Sequence, residues 1–449
     1  MFHTTPWLPE HLVSQHVPRR EFLSKLAATG ALAAGFVPPL GVGNESAVVE
    51  GELFSPAADA ADDKVFAEAR KQFLFPTSVT YCNTGTLGAS PREVMNALVG
   101  GLQSLERSLP DWPYFQADGE PLTGYQQLAD FRTEAGAFIN APLEEVAFTQ
   151  NATMGMSFLA NGLDLKSGDE VVTTDQEHSG GIGGWQLRGK RHGVVVKQVA
   201  MDAAFAKGPD AILQAFADAI TPRTRVVMFS QITSGLGVRL PTRELCALAR
   251  ERGALAIVDG AQAIGQINVD VKELGCDAYV ASPHKWLLAP KGTGILYITR
   301  ALQPRVWNTL ASGGFDDDTA GAFRFMHYGT GSLPVMHGLR AALRFISRIG
   351  IERIERWDRM LSLRLREGLS RIPLARMTSP SDPRLAAGIT TFSFNGQPGR
   401  DLQNALWERK IRVRAQGGSR GVRLSAHLYV SPSDIDRVVD VTSRMRKIG

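Results

Sequence analysis

Cysteine is scarce. Three residues in 449 (Cys82, Cys246 and Cys276), none in CxxC spacing, exclude a disulfide framework and a thiolate metal finger. No apolar run reaches the ~18–20 residues that a membrane-crossing helix needs, so a multispanning membrane protein is out and no membrane anchor is expected. The nine histidines show neither HExxH nor any other paired-ligand spacing, which removes a zinc hydrolase. Charge of one sign does not dominate either. A net charge of +4 and a pI near 9.0 are mild for this length, and the basic residues are scattered, so nucleic acid is not an expected partner. What is abundant is apolar: 44% hydrophobic residues against 21% charged, with a mean hydropathy of −0.09. That balance excludes a disordered chain and supplies a large core. At 48.7 kDa the chain exceeds one typical domain, and two lobes are expected.

The first sixty residues read as an address. Arg19-Arg20-Glu21-Phe22-Leu23 precedes Lys25 and a weakly apolar, Ala- and Gly-rich stretch from Leu26 to Val37. That stretch is too short to span a bilayer but suits the h-region of an export signal. The arginine pair before Phe-Leu resembles a twin-arginine signal, which a receptor reads. Ala58-Asp59-Ala60 offers a small-x-small cleavage pattern, so a mature periplasmic chain is expected to begin near Ala61. The bland alternative is an internal amphipathic helix with a chance arginine pair. The twin-arginine export machinery carries folded proteins, often with a cofactor inside, which makes cofactor binding an expectation.

Past residue 140, strand-like runs alternate with helix-like stretches. The runs are Glu145–Thr149, Glu170–Thr174, Val194–Val199, Arg225–Ser230, Ala254–Asp259, Asp277–Ala281 and Thr293–Ile298. Stretches such as Ala211–Ile220 and Arg243–Arg252 are long enough to be crossover helices. This pattern predicts an α/β fold with a mainly parallel, seven-stranded sheet covered by helices on both faces. The Gly-rich segment Ala311–Ser332 breaks the pattern, and one long helix is expected from Val335 to about Arg371. After Pro373 the chain reads as a smaller α+β lobe. The expected divisions are a signal and linker over 1–60, an N-terminal segment over 61–90, a large domain over 91–332 and a small domain over 333–449.

Ligands of open α/β sheets sit at the carboxyl ends of strands. Asp259 follows the apolar run Ala254–Val258, and Lys285 follows Asp277–Ala281 in Ser282-Pro283-His284-Lys285-Trp286. Taken singly, the acid is an ordinary N-cap and the lysine an ordinary snorkelling side chain. Together they match what pyridoxal 5'-phosphate requires: an amine for its aldehyde and an acid for its pyridine nitrogen. Thr149-Gln150-Asn151-Ala152-Thr153 closes one strand and opens an apolar helix, Met154 to Leu163. Its first-turn amides and the Thr153 hydroxyl suit a phosphate, with Ser282 and His284 adding donors. His178 follows Glu170–Thr174 and would place a ring on the face of a pyridine. Each has a structural alternative, a plain N-cap or a structural histidine, but four strand ends offering Thr153, His178, Asp259 and Lys285 support one another.

Asp259-Gly260-Ala261-Gln262, the Lys285 motif and Pro290-Lys291-Gly292-Thr293-Gly294 together resemble the class V aminotransferases over about residues 75–445. That branch of the fold-type I pyridoxal-phosphate enzymes includes cysteine desulfurases and isopenicillin N epimerases. The resemblance implies that Lys285 binds the cofactor covalently, Asp259 holds its pyridine nitrogen, Gln262 bonds its phenolic oxygen and His178 stacks on its ring. It assigns the phosphate to Ala152, Thr153, Ser282 and His284. It also implies a homodimer, to whose neighbouring site Thr330, in Tyr328-Gly329-Thr330-Gly331, is contributed. Gly421-Val422-Arg423-Leu424-Ser425 is similar to the family's closing pattern, which makes Arg423 the candidate for a substrate carboxylate. Asn83, in Tyr81-Cys82-Asn83-Thr84-Gly85, is placed in the substrate pocket on the same ground.

The chain departs from the desulfurases, whose persulfide cysteine sits on a small-lobe loop: no cysteine occurs after Cys276, and Arg412–Gly418 carries no sulfur. The pattern lies nearer the epimerase-like members. An exported chain of this class also resembles the periplasmic pyridoxal-phosphate enzymes of pyoverdine siderophore maturation, which implies a siderophore-like or peptide substrate. The Gly-rich stretches Gly180–Gly184 and Gly417–Gly421 would leave room for one. Transamination, epimerisation and C–S or C–N elimination all begin with proton removal by Lys285, and the residues do not choose among them. A non-catalytic cofactor-binding scaffold would need neither Lys285 nor Asp259.

Overall fold

A computed structural model of the chain describes residues 53–111 and 128–445. The arginine pair Arg19-Arg20 and the apolar stretch Leu26–Val37 lie outside the described residues.

The large lobe is built on seven strands: β2 (Val146–Thr149), β3 (Glu170–Thr174), β4 (Val195–Val199), β5 (Thr224–Ser230), β6 (Leu255–Asp259), β7 (Ala278–Ala281) and β8 (Gly294–Ile298). They run in the order β2-β8-β7-β6-β5-β3-β4. Only β8 is antiparallel to its neighbours; the other six point the same way. β2, β3, β7 and β8 are buried along their whole length, as strands covered by helices on both faces must be. The sequence reads them as short, β-branched apolar runs for that reason. β4, at the sheet edge, is partly exposed, and its Lys197 reaches back to the buried Glu170 at 2.8 Å. That charged residue blunts an otherwise open edge.

Crossover helices Pro209–Ala219 and Thr242–Glu251 fall within a residue or two of the stretches read from the sequence. The expected single helix over 335–371 is instead two, Leu333–Ile349 and Ile351–Ser370. The break is at Gly350, whose φ of +92° lies outside helical geometry. Its amide closes the first helix on Ile346, and its carbonyl opens the second by accepting from Ile354.

The small lobe carries a four-stranded antiparallel sheet in the order β12 (Arg414–Ala415), β13 (Val422–Ser425), β10 (Ile389–Phe394), β9 (Ala375–Met377). β1 (Thr80–Tyr81) pairs in parallel with β11 (Ile411–Arg412), so the segment before the large lobe is tied to the small one. Ala58-Asp59-Ala60 lies against the C-terminal helices. Arg353 donates to the Ala58 carbonyl at 2.8 Å and to that of Ala60 at 3.3 Å, and pairs with Asp62 at 3.0 Å.

Candidate active site

Because β2, β3, β5, β6 and β7 are parallel, their carboxyl ends open on one edge. A cavity of about 270 Å3 lies there, lined by Ala152, Thr153, His178, Asp259, Gln262, Ser282, His284 and Lys285, among others. These eight residues, 133 positions apart at the extremes, are brought together by strand order alone.

Asp259 ends β6 and is 5% exposed. Its Oδ1 accepts from the Ala261 amide at 2.9 Å, which fixes the carboxylate plane. Oδ2 faces Gly181, where a Cβ would fall 2.9 Å away, so the bare glycine keeps the approach to that oxygen open. Lys285 reaches the same space. Burial lowers its amine to about 8; Asp259 opposes the shift, whereas Arg423 and Arg414 add to it. Much of the amine is therefore neutral at mildly alkaline pH, as a nucleophile requires.

The helix Ala152–Gly162 aims its N-terminus at the cavity. Ser282 Oγ accepts from the Ala152 amide at 3.1 Å and Asn151 Oδ1 from that of Met154 at 2.9 Å. The Thr153 amide, between them, is the uncommitted donor of the first turn. His284 Nδ1 donates to the Thr293 carbonyl at 3.0 Å, which fixes its tautomer, and burial together with Lys285 keeps the ring from protonating readily. His178 caps the next helix: its Nδ1 accepts from the Gly180 amide at 3.0 Å, so the ring is neutral with its hydrogen on Nε2. Burial, then the Lys285 charge, lower its pKa in keeping with that. Gln262 bridges two groups, donating to the Gly85 carbonyl at 2.9 Å and accepting from the Trp286 indole at 2.8 Å.

Arg423, on β13, is 1% exposed and has only neutral acceptors: the Ser234 carbonyl at 2.8 Å, Ser234 Oγ at 3.2 Å and Thr86 Oγ1 at 2.7 Å. Its Nε is buried without a partner. Burial, then the neighbouring Arg414, lower it to about 9. Arg414 stands opposite it across the β12–β13 pair and donates to the same Thr86 hydroxyl at 3.1 Å. Two guanidiniums sharing one neutral oxygen form a site that an anion completes, since an uncompensated buried charge is costly.

Asn83, Thr330 and Arg423 are not among the residues that line the cavity, although Arg423 stands beside its Arg414. The Asn83 side chain accepts from Thr86 Oγ1 at 2.7 Å and so holds the turn that presents Thr86. Thr330 is exposed on the surface. Sequence reasoning passed over Thr86, Ser230, Ser234, Arg414 and Glu177. Glu177 accepts from Thr174 Oγ1 at 2.7 Å and from Ser230 Oγ at 2.6 Å, and burial, aided by the Asp259 charge, pushes it up to about 7. Its position one residue before His178 was the available signal. The three cysteines are all buried and none lines the cavity.

Residues 122–438 match the family described as Aminotransferase class-V. The chain is 30% identical to isopenicillin N epimerase of Amycolatopsis lactamdurans, over 85% of this chain and 99% of that protein. It is also 30% identical to a probable cysteine desulfurase of Pyrococcus abyssi, over 85% and 97%. Among solved structures, a C-DES variant with glycine covalently linked to its PLP cofactor superposes with a TM-score of 0.74 at 25% identity, covering 84% of this chain and 99% of that one.

Proposed function

The chain belongs to the class V aminotransferase family, and from that premise we propose that it is a pyridoxal 5'-phosphate enzyme of the fold-type I class. Its substrate is an amino acid or peptide end bearing an anionic group, and its reaction is transamination or a related one that starts with loss of the α-proton. The residues present fit the cofactor: a lysine amine, a carboxylate oxygen kept accessible by Gly181, and an uncommitted first-turn amide share one cavity. Bound there, the cofactor would supply an aldehyde for an amino group and a pyridinium ring to draw off the electron pair left on the α-carbon when its proton departs.

The family resemblance assigns the protein's part, and the cavity lining supports it. Lys285 holds the cofactor at rest and takes the α-proton when freed from it. Asp259, fixed by Ala261, keeps the pyridine nitrogen charged. Thr153 and Ser282 donate to the phosphate, His284 joins them once its Nε2 takes a proton, the His178 ring covers one face and Gln262 offers its amide to the phenolic oxygen. Arg423 orients the substrate carboxylate through paired hydrogen bonds, and Arg414 stands beside it to take a second anionic group.

The observation that carries this reading is the Lys285–Asp259 pair in a cavity lined by Arg414, with the buried Arg423 beside that arginine, and neither guanidinium has a carboxylate partner among the described residues. The absence of a thiol from the cavity and from Arg412–Gly418 favours a reaction other than persulfide transfer. A second cleft of about 1000 Å3 includes Gly235, Leu236 and Gln416, chain neighbours of the site residues Ser234 and Arg414, which leaves room for a peptide-sized substrate. Export by the twin-arginine route rests on Arg19-Arg20-Glu21-Phe22-Leu23; replacing both arginines by lysine should leave the folded protein in the cytoplasm.

The test is optical. Purified protein should absorb in the visible near ~420 nm, as a lysine-bound pyridoxal does, and Lys285→Ala should lose both that band and all turnover. Mixed with a panel of free amino acids and a glutamyl-capped peptide, the band should fall stoichiometrically for a transaminated substrate. For an epimerised one it should persist while solvent deuterium enters the α-carbon. A colourless protein that pyridoxal phosphate cannot reconstitute would end the reading.

A further inference from the structure

Beside the cavity, a buried histidine–aspartate pair touches the lysine loop. His427, just past β13, is 0% exposed, and Asp358, in the middle of the helix Ile351–Ser370, is 1% exposed. His427 Nδ1 meets Asp358 Oδ2 at 2.7 Å, and its Nε2 meets the carbonyl of Trp286 at 2.8 Å. Trp286 is the residue after Lys285.

We propose that Asp358 and His427 are positioning residues that fix the Trp286–Leu287 peptide, directly after Lys285, and so hold the reacting amine in register with Asp259. The inference rests on the reading of Lys285 given above. A backbone carbonyl only accepts, so Nε2 must carry a hydrogen. A neutral imidazole with no charged partner is free to place its one hydrogen on either nitrogen. The carboxylate removes that freedom: the proton between Nδ1 and Oδ2 is shared within the pair, and Nε2–H is left pointing at Trp286. Ion pairs this deeply buried add little stability over apolar packing, so orientation is the better account of this one. Trp286 is then held at both ends, since its indole donates to Gln262, which in turn donates to Gly85. The His427 ring also packs edge-on against the indole at 5.1 Å. Two cavity residues, Lys285 and Gln262, are thus tied through one tryptophan to the small lobe.

Two isosteres separate positioning from packing. His427→Gln sets an amide nitrogen where Nε2 stood and keeps the bond to Trp286, whereas His427→Asn sets its amide at Nδ1 and keeps only the bond to Asp358. Asp358→Asn turns its amide nitrogen to Nδ1 and leaves Nε2–H on the Trp286 carbonyl, so it too keeps the bond. The readout is the pH midpoint for amine-directed labelling of Lys285 in cofactor-free protein, measured by mass spectrometry. The charged and titratable neighbours of that amine, Asp259, Arg414, Arg423, His178 and His284, are the same in every variant. The wild-type midpoint should lie at about 8 and be kept by His427→Gln. It should be kept by Asp358→Asn as well and rise towards that of an ordinary lysine in His427→Asn, with pyridoxal phosphate retained ~10-fold less tightly, the order seen when an outer-shell partner of a metal ligand is lost. Midpoints unchanged in all variants, with only the melting temperature lowered, would overturn the proposal. If His427→Asn fails to fold, His427→Phe, which fills the same space and bonds to neither partner, gives the same reading. A wild type that never takes up pyridoxal phosphate, yet whose Lys285 midpoint still responds to these changes, would overturn the proposed function and leave the positioning role standing.

Discussion

Two carboxyls stand near each other at the mouth of the sheet, and their surroundings give them opposite tasks. Asp259 accepts one backbone amide and leaves its second oxygen open towards the cavity. Glu177 is enclosed by Ser230 and Thr174, and burial raises it to about 7. Asp259→Asn should retain the lysine-bound cofactor but slow α-proton removal by roughly 10²–10³, since a neutral amide cannot hold the pyridine nitrogen charged. Near wild-type turnover would remove Asp259 from the mechanism. Glu177 makes a different kind of prediction. Folded, it keeps its proton to about pH 7, while the unfolded chain releases it in the ordinary carboxylate range. Its share of stability is therefore full in acid and is lost as pH rises through 7. In melting curves of cofactor-free protein, Glu177→Gln should lose less stability than wild type between pH 5 and pH 8. Parallel losses would mean that another group titrates.

Elements were legible where burial dictated composition, and not where a single backbone angle decided. The seven strands of the large sheet announce themselves because sandwiched strands must be continuous apolar runs, and their ends name Asp259, Lys285, His178 and Thr153. The division at Gly350 left no such trace: apolar spacing runs on through both helices, and only the glycine marks the turn. Arg414 and Thr86 were illegible for another reason. Arg414 owes its place to β12–β13 register, and Thr86 to a turn 328 residues away in sequence, so neither stands at an end of the large sheet. Gly350 also allows a clean measurement. At φ +92° with no heavy atom within 4 Å of an added Cβ, Gly350→Ala tests backbone strain alone. It should cost about 1–2 kcal/mol and lower the melting temperature by a few degrees. An unchanged or higher melting temperature would mean that the two helices straighten into one at no cost.

At the scale of the whole molecule, three parts of the chain meet at one guanidinium. Arg423 comes from the small lobe, Ser234 from the large one and Thr86 from the segment between the N-terminus and the large lobe. Without substrate these neutral oxygens occupy a charged donor, and Nε is left over. An incoming carboxylate offers two charged acceptors in place of neutral ones and relieves the repulsion between Arg423 and Arg414. Binding is thereby linked to the contact between lobes. Arg423→Ala should raise KM by roughly 30- to 1000-fold, the ~2–4 kcal/mol of a lost bidentate pair, and change kcat less because the contact is made in ground and transition states alike. Arg423→Lys should recover little, as a single ammonium cannot span both carboxylate oxygens. Arg414→Ala should weaken a substrate with one carboxylate less than one with two, because its partly exposed guanidinium is free to serve the second. The same steady-state measurements on a free monocarboxylic amino acid and on a glutamyl-capped peptide decide it. An equal KM change for both in Arg414→Ala would show that Arg414 only assists Arg423, and a kcat loss without a KM change in Arg423→Ala would move Arg423 from substrate binding to the chemical step.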